Sequence, residues 1–177
     1  MKPRLGHNGG EPFINPLEEN CIRMKKILFP LIACGLVMPA VAEDKVPRTP
    51  SPKGAQVRII LPKNGKTVKG PVRVVFGLKG MGVCPAGLVL PNGKPMEKTG
   101  HHHLLVDTEK LPSMSLPMVA SETLLHFGAG QTETVVNLPP GKHTLQLVFA
   151  DFAHIAHNPP VVSKKITIMV EAKAKKK

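Results

Sequence analysis

Proline and glycine interrupt this chain so often that no apolar period of 3.6 residues survives three helical turns. Its 177 residues include 19 prolines and 16 glycines. A strand needs only alternation over about four to eight residues, and such runs are plentiful between the breaks. His143 to Asp151 (HTLQLVFAD) alternates most clearly, with Leu145, Leu147 and Phe149 sharing one face. Pro71 to Leu78 sets Val72, Val74 and Phe76 on one side and Arg73 on the other, because successive strand side chains point to opposite faces. Further strands are expected over Gln56 to Leu61, His101 to Asp107, Gln131 to Leu138 and Val161 to Val170. Asn64-Gly65 and Pro139-Pro140-Gly141-Lys142 supply turns between them, Gly and Asn providing the positive φ that tight turns use. Two longer loops, Met81 to Thr99 and Lys110 to Ser121, carry most of the remaining Pro, Gly and Met. The pattern predicts an all-β, immunoglobulin-like antiparallel β-sandwich of about seven short strands with no long helix.

The ends of the chain differ from this core. Met24-Lys25-Lys26, the apolar run Ile27 to Met38 and the small-x-small triplet Ala40-Val41-Ala42 form a signal-peptide pattern, too short for a bilayer span of about 20 residues. Cleavage after Ala42 is expected, giving an exported, periplasmic protein. Residues 1–23 read as an over-called extension, 24–42 as the signal, 43–54 as a Pro/Lys-rich linker, 55–170 as the sandwich and 171–177 as a basic tail. Leu31-Ile32-Ala33-Cys34 is a loose lipobox, so a lipoprotein anchored through Cys34 is the weaker alternative. Removal of the signal leaves Cys84 alone, which excludes an intramolecular disulfide. A lone thiol of this kind is either buried and inert or a soft ligand.

Net charge is +12, a balance that often marks nucleic-acid or anionic partners. The cations are scattered outside the tail Lys173 to Lys177, and the chain has no Trp and no Tyr. Stacking platforms for bases are therefore missing, and no nucleic-acid partner is expected. No stable membrane insertion of the mature form is expected either. Catalytic patterns are also lacking. The serines sit in no G-x-S-x-G elbow, the acids are isolated, and neither a phosphate-binding loop nor a dinucleotide fingerprint occurs. A non-enzymatic role is favoured.

The chemistry-bearing residues are the histidines. His101-His102-His103 opens one expected strand, and His154-x-x-His157 follows another. Strand parity sends His101 and His103 to one face and His102 to the other with Leu104 and Val106. An H-x-H pair offers two imidazoles to one ion, and His154, His157 and His126 are candidates for the rest. Imidazole suits copper, zinc, iron and nickel, and Cu(II) binds an open nitrogen site most tightly. Copper is the first choice and zinc the second. Asp107 or Asp151 is a candidate for fixing a ligand tautomer. Met81, Met96, Met114 and Met118 with Cys84 offer a weaker thioether and thiol alternative for Cu(I). His143 alternates with core residues and reads as structural.

Five ordered strings carry a family resemblance: Gly80 to Val83, Thr99 to Asp107 (TGHHHLLVD), His126 to Thr134 (HFGAGQTET), Leu138 to Leu147 (LPPGKHTLQL) and His154-x-x-His157-x-Pro-Pro-Val. Over about Ala55 to Val170 the chain resembles an exported bacterial domain family of unknown function, domain of unknown function 4399. The resemblance implies an exported, compact, His-bearing β domain. It also implies a small residue such as Ala where this chain has Cys84, which argues against a shared role for that thiol.

These readings converge on a periplasmic metal-binding sandwich that buffers or delivers copper, with a metal donor or acceptor protein as partner. The alternatives are a metal-free envelope interaction module and, third, a copper redox enzyme. Because neutral imidazole is the ligand, affinity is expected to fall below about pH 6.

Overall fold

The structure, a computed structural model, describes residues 47–172. Ten strands fill this region: β1 (Gln56–Leu61), β2 (Thr67–Lys69), β3 (Val72–Lys79), β4 (Gly82–Val83), β5 (Thr99–Val106), β6 (Leu124–Phe127), β7 (Glu133–Val136), β8 (Gly141–Ala150), β9 (Ala156–Val162) and β10 (Ile166–Glu171). No helix occurs among the described residues. The expected signal segment and the last five residues of the basic tail lie outside them.

Two sheets face each other. The smaller has the order β1-β3-β7, and the larger runs β2-β10-β8-β5-β4, with β6 also on β5 and β9 also on β8. The apolar faces read from the sequence meet between them. Val57, Val72, Val74, Phe76 and Val136 from the small sheet pack on Leu104, Val106, Leu145, Leu147, Phe149, Ile168 and Val170 from the large one. Leu104, Leu145, Leu147 and Phe149 are fully buried, each contributing about 1.5–3 kcal/mol of transfer free energy.

The all-β sandwich agrees with the sequence expectation; several boundaries do not. The run 161–170 is two strands, β9 and β10, separated where Ser163 turns inward. The Ser163 hydroxyl accepts from the Leu147 amide at 2.8 Å and takes the place of a ladder partner. Strands β2, β4 and β6 escape the sequence pattern because they have three, two and four residues, too few for alternation to show. Pairing with longer neighbours makes them strands. Two of these pairings, β2 with β10 and β4 with β5, are parallel, so the large sheet is mixed. Inside the expected linker, Arg48 to Ser51 is tied to β9: Pro50 forms a parallel bridge with Asn158, and the Ser51 amide donates to the Asn158 carbonyl at 3.0 Å.

The second, outer face of the large sheet has its own small core. Leu105, Leu124, Val148, Ala150 and Ala156 are covered there by Met118, with Met114 packed alongside. This explains why β5 is buried on both faces from Gly100 to Val106. It also places the outward-facing members of the histidine triplet beneath a covering layer.

Candidate metal centre

Strand parity separates the triplet as expected. His102 pairs across the sheet with Phe149 and Phe127 and points into the inter-sheet core, its ring 5.0 Å from Phe76 and 5.0 Å from Phe149. Its Nδ1–H donates to the Gln131 carbonyl at 3.3 Å. His101 and His103 project to the outer face, opposite Ala150 and Val148 on β8. His126 on β6 lies directly opposite His103. His154, in the turn between β8 and β9, closes the group.

The four rings pack around one point. Ring-centroid separations are 4.8 Å for His101–His103, 4.9 Å for His101–His126, 4.9 Å for His101–His154, 5.1 Å for His103–His126, 4.7 Å for His126–His154 and 6.1 Å for His103–His154. One ring nitrogen from each lies within 4.8 Å of the others. Regular tetrahedral coordination at about 2.0–2.1 Å would set four nitrogens about 3.3 Å apart. Small side-chain rotations therefore close the set around an ion.

Burial and charge prepare these rings as ligands. His101 and His103 have no solvent exposure, and both nitrogens of each lack a hydrogen-bond partner, as does Nε2 of His126. Nε2 of His102 and both nitrogens of His157, outside the cluster, are unpartnered as well, so what singles out these four rings is their convergence on one point. Burial, followed by the neighbouring imidazoles, pushes His101 and His103 down to about 3. Burial also lowers His126, with a further contribution from His154. Neutral imidazole, the form that binds a metal, is thus favoured at His101, His103 and His126. It also moves proton competition at His101 and His103 in the folded chain well below the pH 6 expected from free imidazole.

His157, the fifth ligand expected from sequence, stands apart. It is fully buried and its ring stacks on Phe149 at 5.9 Å, a residue of the inter-sheet core. The His-x-x-His spacing straddles the change from turn to strand, so parity does not carry across it and the two rings diverge. The carboxylates differ from expectation as well. Asp107 accepts from Nδ1–H of His143 at 2.7 Å, while Nε2–H of that ring donates to the Pro139 carbonyl at 2.8 Å. Burial alone would lower His143, but these two bonds favour the cation and raise it. Asp151 binds backbone amides and no cluster ring. The sulfur groups are dispersed: Met118 and Met114 are in the outer core, Met81 is against the inter-sheet core, Met96 is exposed, and the Cys84 thiol donates to the Thr99 hydroxyl at 3.2 Å.

One site residue gave no recognisable signal in the sequence. A Cβ at Gly128 would collide with Cε1 of His126 and come within 2.5 Å of its Nε2. Gly128 is not in the left-handed region, so the backbone does not demand glycine there; the His126 ring does. Gly128→Ala is expected to keep the fold, displace His126 and weaken metal binding about tenfold, in the range for residues supporting a ligand. Unchanged affinity in a competition titration would show that His126 is dispensable.

Comparison with known proteins places the domain. No curated protein matches the chain. Among solved structures, the endo-beta-1,4-mannanase from Thermotoga petrophila is similar over 67% of this chain and 20% of its own length, at 16% identity and a TM-score of 0.37. The chain thus spans about a fifth of that enzyme. A family model described as domain of unknown function (DUF4399) matches residues 74–171, a span that includes all four convergent histidines, and the chain belongs to that family.

Proposed function

We propose that this chain is an exported, periplasmic protein whose sandwich binds one transition-metal ion, copper first and zinc second, for buffering or for transfer to and from a metal donor or acceptor protein. The observation that carries this reading is the convergence of His101, His103, His126 and His154 with ligand atoms within 4.8 Å of one another and unpartnered nitrogens on three of them. Four imidazole donors, with no carboxylate and no thiol among them, suit Cu(II) and Zn(II) and disfavour Ca(II) and Mg(II), which take oxygen. Two ligands sit on one β-strand, which gives the site a rigid half. The other two lie at the rim, partly exposed, where an ion can enter or leave.

The test is a titration of the chain from Glu43 to Lys177 with Cu(II) and Zn(II) against a competing chelator, beside a His101→Ala/His103→Ala variant. The expected result is tight one-to-one binding, Cu(II) above Zn(II), lost in the variant. Weak binding that is equal in both proteins would overturn the reading and favour a metal-free interaction module. Val119 and Leu116, 81% and 60% exposed on the covering loop, are where such a module would meet its partner.

A further inference from the structure

His154 is the one member of the cluster that no strand holds. It sits in a turn at φ 65°, a left-handed conformation uncommon for a residue with a side chain. The Met118 amide on the covering loop donates to the His154 carbonyl at 2.9 Å, and the other contacts that hold the turn converge on Asp151. This residue is 3% exposed. Its Oδ1 accepts from the Ala153 amide at 2.9 Å and the Ile155 amide at 3.0 Å. Its own carbonyl accepts from the His154 amide at 3.0 Å, and its amide donates to the Ile155 carbonyl at 2.9 Å. Four backbone hydrogen bonds on one residue thus bracket His154 on both sides.

The second carboxylate oxygen leads elsewhere. Oδ2 of Asp151 accepts from the Thr49 hydroxyl at 2.6 Å. Thr49 belongs to the segment fixed along β9. Arg48 donates from Nε to the Ala156 carbonyl at 2.8 Å and also to the His157 carbonyl, and the Thr49 carbonyl accepts from the Asn158 amide at 2.9 Å. The segment N-terminal to the sandwich therefore reaches the turn of the rim ligand through a single carboxylate.

We propose that Asp151 is the positioning residue for His154, and that docking of the Arg48–Ser51 segment through Thr49 sets whether the site has four imidazoles or three. The proposal rests on the metal reading and adds a means of regulating it. With the segment seated, the carboxylate is fixed from both sides and His154 faces the cluster. With Thr49 withdrawn, one oxygen loses its partner, the turn relaxes, and a three-histidine site with an open position remains, suited to handing the ion on.

The test is a double-mutant cycle read by Cu(II) affinity and Cu(II) electron paramagnetic resonance, using Asp151→Ala, His154→Ala and the pair. Asp151→Ala is expected to weaken Cu(II) binding about tenfold or more, in the range for groups that orient ligands, and to give the spectrum of His154→Ala. The pair is expected to bind no more weakly than His154→Ala alone. Asp151→Asn, whose amide oxygen can still accept from both amides, should restore the wild-type spectrum. Thr49→Val, which leaves the buried carboxylate in place, should shift the spectrum part of the way and guards against a folding defect in Asp151→Ala. Wild-type affinity and spectrum in both Asp151→Ala and Thr49→Val would overturn the inference. So would an equal further loss from Asp151→Ala in the His154→Ala background, which would mark a general structural effect. Failure of the wild type to bind Cu(II) at all would instead remove the metal reading beneath it.

Discussion

Replacing His101 and His103 together with leucine is expected to stabilise the metal-free protein while abolishing tight metal binding. Both rings are fully buried, and their four ring nitrogens have no hydrogen-bond partner. An unsatisfied buried polar group costs about 1–3 kcal/mol. Leucine has a similar volume and no polar atom, and the outer core already contains Leu105, Val148 and Leu124. At pH 7, denaturant unfolding of the variant without metal should therefore show a gain of about 1–3 kcal/mol per site. The same variant should not gain stability when Cu(II) is added, whereas the wild type should gain about 2.7 kcal/mol at a free ion concentration one hundred times Kd. Opposite changes in stability and binding are the mark of residues kept for a ligand. A leucine variant less stable than the wild type without metal would show that the histidines are structural.

The second large effect is acid lability. Burial pushes His101 and His103 down to about 3, and His102 down to about 4 despite its bond to Gln131. In the unfolded chain these rings take up protons below about 6.5. Between that value and the folded pKa values the unfolded state binds more protons, so stability falls as the pH falls. From pH 6.5 to 5 each ring removes about 1.5 kcal/mol, and the three together remove about 5 kcal/mol, against a typical domain stability of about 5–15 kcal/mol. His143 acts with the opposite sign: its pKa is raised by Asp107 and Pro139 against the effect of burial, so its contribution is present in acid and is lost as pH rises through its folded value. One latch near the surface does not offset three buried rings. Urea midpoints of the metal-free protein should therefore drop steeply from pH 7 to 5. A flat profile would mean that the rings are hydrated or paired in solution.

Much of this architecture was legible because it depends on parity. The alternation of Leu145, Leu147 and Phe149 fixed which face of β8 enters the inter-sheet core, and the same rule separated His102 from His101 and His103. His126 needed more than parity. Its strand has four residues and exists through pairing with β5, so its register opposite His103 is a tertiary fact. His154 and His157 mark the limit. Their spacing is what a metal motif requires, but an Asp-centred turn lies between the strands, and the left-handed residue within it sends one ring to the cluster and leaves the other against Phe149. The Asp151 carboxylate read as a partner for an imidazole because side-chain chemistry was visible in the sequence and the orphan backbone amides of a turn were not. Gly128 carried no signal, because the constraint there comes from the His126 ring beside it.

The most direct test of the central claim is X-ray absorption at the copper and zinc edges of the protein loaded with one equivalent of metal. The account predicts a first shell of nitrogen at about 2.0 Å, with the multiple-scattering pattern of four imidazoles. In His101→Ala/His103→Ala no more than two should remain. A shell of oxygen, or one imidazole or none in the wild type, would contradict it.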